Sequence, residues 1–194
     1  MARRRPPTYD RHVVPAMLQR DAELAALDRR LARLRAGAGE VIVVEGPAGI
    51  GKSSLLAAVA RGAAARGVRV LRAWGSPLER DAGWGIARQL FAPLRGGPEW
   101  ADLTVGAAAL AGRALDGDGE PSLAGDAAHA AVHGLTWLAC GLAERAPALL
   151  VVDDVHWADA PSLRWLVQLT RQLTELPLAI SAPCGRGSRR PSRR

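Results

Sequence analysis

Hydrophobic positions along this chain alternate between a helical period and short unbroken runs. From Asp21 to Arg35, Leu24, Leu27, Leu31 and Leu34 recur at spacings of three, four and three, one apolar face of a helix that Gly37 closes. The β-branched run Val41-Ile42-Val43-Val44 predicts a buried strand over 41–45. Ser54-Leu55-Leu56-Ala57-Ala58-Val59-Ala60 predicts a helix reaching Arg61–Ala65, and after Gly67 the alternation in Val68–Trp74 predicts a second strand. A loop from Gly75 to Gly85 leads into a helix ending near Leu94. Residues 95–125 are rich in turn formers, Gly96-Gly97-Pro98 and Asp116-Gly117-Asp118-Gly119-Glu120-Pro121, with room for one short helical piece near 101–115. Asp126 opens a longer helix to Arg145. The run Ala148-Leu149-Leu150-Val151-Val152 is apolar until it meets Asp153-Asp154, as suits a central strand of a parallel sheet covered on both faces. Asp159 is placed to cap a helix with Pro161 in its first turn, running to Leu173, and Pro177–Ser181 predicts a fourth strand. Strands alternating with helices imply right-handed βαβ units, an α/β fold in three layers around a mostly parallel sheet.

The turn between the first strand and the second helix reads Gly46-Pro47-Ala48-Gly49-Ile50-Gly51-Lys52-Ser53, followed by Ser54. It fits G-x-x-x-x-G-K-[ST], the phosphate-binding P-loop, in the strand–loop–helix context which that motif requires. Glycines let the backbone curl until successive N–H groups converge on one anion, and the helix N-terminus adds positive dipole. Residues 46–54 are thus the candidate nucleotide cradle, with Lys52 reaching the β/γ-phosphates and the Ser53 hydroxyl ligating Mg²⁺. With 21 glycines in the chain, glycine spacing alone means little. Lys52 is more telling, because it is the only lysine and every other Lys or Arg is an arginine. A chain that uses Arg elsewhere keeps a compact ammonium where one must fit between phosphates.

A P-loop enzyme also needs carboxylates opposite the cradle, and the third strand ends on two. Asp153 is the candidate Mg²⁺ residue beside Ser53, and Asp154 the candidate base that orients or deprotonates the attacking water. Lys52 and Asp154 are therefore the candidate catalytic pair. His129 and His133 share a helix face at i, i+4, but no third ligand accompanies them, so helix packing is the expectation.

Charge changes the picture less than its total of +7 suggests. Arg3, Arg4, Arg5, Arg186, Arg189, Arg190, Arg193 and Arg194 outweigh that total, so the body between the two ends is close to neutral. That argues against direct DNA binding by this chain. Two cysteines, Cys140 and Cys184, suggest neither a disulfide framework nor a metal knuckle. No apolar run reaches membrane length, and a cytoplasmic protein is expected. The expected organisation is a disordered tail over 1–15, one domain over 16–181 and a disordered basic tail over 182–194.

The segment Val152-Asp153-Asp154-Val155-His156-Trp157-Ala158-Asp159-Ala160-Pro161-Ser162-Leu163 resembles the Walker B region of the large LuxR-type ATPase regulators. These are signal-transduction ATPases with numerous domains, built on an AAA-like module. Arg20-Asp21-Ala22-Glu23-Leu24, Gly75-Ser76-Pro77-Leu78-Glu79-Arg80, Arg88-Gln89-Leu90-Phe91 and His133-Gly134-Leu135-Thr136-Trp137-Leu138 are similar too, so the likeness spans residues 17–180. The resemblance implies Mg²⁺-dependent ATP/ADP binding with slow hydrolysis, and Arg20 and Glu23 near the nucleotide; His156 and Trp157 belong to the family segment, and for Trp157 packing after the strand is the expectation. It also implies the additional-strand type of P-loop fold, with sheet order 5-1-4-3-2. Since family members continue well beyond the fourth strand, where this chain turns into an Arg/Ser/Pro tail, the fold is expected to be C-terminally incomplete, through truncation or a broken frame near residue 180. That would leave the P-loop strand at a sheet edge and favour self-association. A module that binds and exchanges nucleotide without hydrolysis, or a fragment without function, are the alternatives. ATP is expected over GTP, because an Asn-Lys-x-Asp guanine signature needs an Asn and the chain has none.

Overall fold

The computed structural model describes residues 21–47, 49–78, 80, 83–116 and 125–185. The sequence expectations for the two tails, outside 182–185, and for Arg20 and Ala48 lie outside these residues.

Helix α1 (Asp21–Arg35) is followed by strand β1 (Glu40–Gly46), helix α2 (Lys52–Ala65) and strand β2 (Arg69–Trp74). Helix α3 (Gly85–Phe91) comes next, then a run of short pieces. These are a 3-10 turn (Ala92–Leu94), α4 (Trp100–Leu103), a second 3-10 turn (Gly106–Ala111) and α5 (Gly112–Leu115). Helix α6 (Asp126–Arg145) leads to β3 (Ala148–Asp153), a 3-10 turn (Val155–Trp157), α7 (Ala160–Thr170), another 3-10 turn (Leu173–Glu175) and β4 (Leu178–Gly185). The expected single piece near 101–115 is therefore broken into three, and Gly106, at φ +59°, begins the second of them.

All four strands run parallel in the order β1-β4-β3-β2. Helices cover both faces. On one, Leu27, Leu31 and Leu34 of α1 and Leu55, Leu56 and Val59 of α2 pack against Ile42, Val44, Leu149, Val151 and Ala179. On the other, α3, α5, α6 and α7 enclose Leu71, Leu150, Val152, Leu178 and Ile180, with Trp165 wholly buried beside Phe91. β3 is buried along Ala148–Val152, as expected of a central strand.

Two expectations change. The run 41–44 was expected to be buried throughout, yet Val41 is 40% and Val43 53% exposed. The reason is coverage: Ile42 and Val44 pack under α1 and α2, while the core on the other face, under α3, α5, α6 and α7, takes in residues of β2, β3 and β4 but none of β1. Among the described residues the alternate side chains Val41 and Val43 therefore have nothing packed over them. β4 in turn runs to Gly185, past the expected boundary at 181, because Ala182–Gly185 continue the ladder against Val43–Gly46. No helix among the described residues is long and apolar enough to cross a membrane.

Candidate functional site

The loop after β1 turns back on itself through two residues in the left-handed region, Gly49 at φ +78° and Gly51 at φ +85°. A Cβ would strain both positions. Gly51 is also the N-cap of α2, and no side chain caps that helix end. The first-turn N–H groups of a helix have no carbonyls a turn below to accept them, so an uncapped N-terminus above a curled glycine loop is a cradle for an anion. Ser53 and Ser54 stand exposed on that turn, with Pro47 and Ile50 also at the surface. Lys52 bends over the loop, its Nζ donating to the carbonyl oxygens of Gly46 and Pro47 at 3.0 Å each. The ammonium is thereby tethered to the start of the loop by two carbonyls.

Sheet register decides what faces this loop. Gly46 is level with Gly185 on β4, and Val151 of β3 is level with Ser181. All strands point the same way, so Asp153 and Asp154 leave the same carboxyl edge as the P-loop. One strand separates β1 from β3, a gap of about 10 Å. Such an edge is where open α/β sheets bind ligands.

Asp153 is half-buried at the end of β3, and its Oδ1 accepts the N–H of Asp154 at 2.9 Å. Asp154 is exposed and adopts φ +47°, ψ +41°, a left-handed conformation outside the glycines that only Trp84 shares among the described residues. Asp tolerates that region better than most residues but is seldom found there, and non-glycine residues so held cluster at functional sites. His156 Nδ1 lies 4.0 Å from Asp154 Oδ1. Next to it, the Trp157 ring packs against the His156 ring at 5.0 Å, with the Arg80 guanidinium 5.9 Å above it.

The residues meet the needs of a magnesium nucleotide. The loop offers main-chain donors and one cation to phosphates, while Ser53 and Asp153 offer hard oxygen donors of the kind Mg²⁺ takes alongside phosphate oxygens and water. His129 and His133 sit elsewhere on α6, His129 Nδ1 against the Gly125 carbonyl and His133 Nε2 accepting from Trp137 Nε1. No group of three or more His, Cys, Asp or Glu with metal-site geometry occurs among the described residues.

Against known families, the model for the AAA ATPase domain matches residues 17–181, most of the chain. The chain belongs to the AAA ATPase domain family. This domain has the α/β architecture of a P-loop nucleotidase, and membership implies a nucleotide ligand. A similar protein is an uncharacterized one from Rhizobium meliloti (strain 1021), 28% identical over 187 aligned positions that take in 84% of this chain. The chain spans only 18% of the length of that relative.

Two contributors to this edge of the AAA domain escape a reading of the sequence. Gly75 follows β2, its N–H donates to the Asp153 carbonyl at 2.9 Å, and a Cβ there would collide with the Asp154 carbonyl oxygen. Asp159 was expected to cap α7 and does, accepting from Ser162 N–H at 2.8 Å. It also receives the N–H groups of Trp84 and Ile86, from the start of α3. Only the first of these roles has a local signal, Asp-x-Pro-Ser ahead of an apolar helix.

Proposed function

We propose that this chain is an ATP-binding module that takes the nucleotide with Mg²⁺ and hydrolyses it slowly, serving as the nucleotide switch of a signalling or transcription regulator. The observation that supports the reading is the common carboxyl edge of the parallel strands β1 and β3, from which both the loop 46–53 and the pair Asp153 and Asp154 emerge. In this reading the loop amides and Lys52 hold the phosphates, and Ser53 with Asp153 holds the metal. Asp154 orients the attacking water. Bound Mg²⁺ would supply charge neutralisation at the phosphates. Residues 46–53 and 153–154 then correspond to the Walker A and Walker B motifs, within one ATPase domain over 16–181.

The regulator context rests on the resemblance of 152–163 to LuxR-type ATPases, and it accords with a relative that carries the matching segment inside a much longer chain. The outer edge of β1, with Val41 and Val43 exposed, favours self-association in a second copy of this chain. Sedimentation velocity across a concentration series, repeated on Val43→Lys, checks this: association should weaken in the variant, and a wild type that stays monomeric refutes it.

The nucleotide reading is tested by calorimetric titration with Mg·ATP and Mg·GTP on wild type and Lys52→Ala. Losing the ammonium from a charge-assisted phosphate contact should cost about 2–4 kcal/mol, a weakening of about 30- to 1,000-fold. ATP should bind more tightly than GTP. A well-folded wild type that ignores both nucleotides refutes the assignment. Single-turnover hydrolysis in wild type and Asp154→Ala separates a hydrolase from an exchange-only switch: equal rates favour the latter.

A further inference from the structure

Asp159 is the one buried side chain with an ionisable group among the described residues, at 2% exposure. It is far from unpaired. Oδ1 accepts the N–H groups of Ser162 and Trp84, each at 2.8 Å, and Oδ2 accepts that of Ile86 at 3.2 Å. Ser162, itself fully buried, extends the pattern by accepting the Ala87 N–H on Oγ at 3.2 Å. Two helices that start more than 70 residues apart in sequence thus share one carboxylate at their N-termini. The positive ends of both dipoles stabilise its charge, and its charge stabilises both ends. α3 has no side-chain cap of its own: its N-cap is Trp84, in the left-handed region at φ +67°. Without Asp159 its first N–H groups would be buried with no acceptor.

The placement of this clamp is what matters for chemistry. Asp159 lies five residues after Asp154, and the segment between them is one tight turn, with Trp157 N–H on the Asp154 carbonyl at 2.8 Å and Ala158 N–H on the Val155 carbonyl at 3.1 Å. At the other end, Gly75 N–H fixes the Asp153 carbonyl, and Gln89 of α3 grips the main chain of Trp74, donating to its carbonyl and accepting its N–H. The turn 154–158 is therefore held at both ends by the β2–α3 connection. Between the two anchors sits Asp154 in a backbone conformation that a non-glycine residue keeps only when its surroundings dictate it.

We infer that Asp159 is a positioning residue for hydrolysis, fixing the pose of the Asp154 carboxylate by tying the start of α3 to the start of α7. The inference rests on the proposed role of Asp154 toward the attacking water. Asp159 touches neither phosphate nor metal in this scheme. The loop 46–53 belongs to β1 and α2, so nucleotide affinity should not depend on Asp159.

The test uses Asp159→Asn, Asp154→Asn and the double variant. Asparagine keeps the size and one acceptor oxygen but turns an NH₂ toward an amide donor, so at least one of the three bonds is lost. Mg·ATP affinity by calorimetry should stay within about threefold of wild type, while single-turnover hydrolysis falls about tenfold or more, since small misplacements of a catalytic group are amplified in rate. The double variant should be no slower than Asp154→Asn, because both changes disable one group. Amide exchange at Trp157 and Ala158, whose own bonds do not involve Asp159, should accelerate, with α2 unchanged. Wild-type hydrolysis in Asp159→Asn, additive losses in the double variant, or exchange that rises in α2 together with weaker ATP binding each overturn the inference. A wild type that binds Mg·ATP without hydrolysing it refutes the hydrolytic reading alone, and the clamp is then decided by exchange at 157–158. If Asp159→Asn does not fold, Ser162→Ala removes only the acceptor of the Ala87 N–H and should show the same pattern at about threefold in rate; unchanged rate and exchange in that variant overturn the inference equally.

Discussion

Replacing Gly75 by alanine probes the junction between β2 and the acidic turn. A Cβ at this position would meet the Asp154 carbonyl oxygen, the Ala158 nitrogen and the Trp157 carbonyl carbon, all main-chain atoms, so no side-chain rotation relieves the clash. Forcing one carbon into a packed site costs about 1–3 kcal/mol. Stretching the hydrogen bond from Gly75 N–H to the Asp153 carbonyl adds about 0.5–1.5 kcal/mol. Stiffening the unfolded chain returns about 0.4–1 kcal/mol. The net loss of about 1–4 kcal/mol should lower the melting midpoint by about 3–12 °C in a chain of this size, as differential scanning calorimetry would read. Displacement of the 153–158 turn should also slow hydrolysis, and Mg·ATP affinity should fall with it, since Asp153 is proposed to hold the metal. Gly141 supplies the control. It lies inside α6, where a Cβ would make an ordinary contact with Leu103 Cδ2 at 3.8 Å, and alanine there should stabilise by about 0.5–1 kcal/mol. A Gly75→Ala protein that melts like wild type and hydrolyses at the same rate would falsify the account of this junction.

Other consequences can be checked in the same preparations. Trp165→Ala removes a fully buried indole packed 5.8 Å from Phe91 and should cost about 3–5 kcal/mol in chemical denaturation; Trp165→Phe should recover most of it, since the indole nitrogen has no hydrogen-bond partner among the described residues. Burial, and after it the nearby Glu144 carboxylate, pushes the Cys140 thiol up from its ordinary value. A folded pKa above the unfolded one gives a contribution that is complete below about pH 8.5 and is lost as pH rises through the folded value. Denaturation midpoints between pH 7 and 10 should therefore fall more steeply in wild type than in Cys140→Ala, and parallel profiles would refute this.

The P-loop motif stands out in the sequence because its signal is local: glycines, a lone lysine and a strand–turn–helix frame lie within a few consecutive residues. β3 was legible for a related reason, since a strand covered on both faces needs an unbroken apolar run. β1 carries a similar run and yet exposes Val41 and Val43, because exposure there depends on which helices cover each face of the sheet, and that is not written in the strand itself. The same holds for Asp159. Its cap on α7 follows from the next three residues, whereas its hold on α3 joins positions 73 and 75 apart and appears only once α3 and α7 are packed together. The stretch near 101–115 holds three short pieces where one is expected, and the turns that divide it answer to packing against α6, which no local signal gives.

Among the described residues the strand that runs into the proposed phosphate loop is, like β2 at the far edge, laddered on one side only, so its fraying would also disrupt the proposed anion site. A bound triphosphate would act there as a rivet at an outer seam of the sheet, lending its binding energy to the pairing of Glu40–Gly46 with Ala179–Gly185. Susceptibility of that seam to proteolysis should then track nucleotide concentration more closely than any signal from the buried central strand β3.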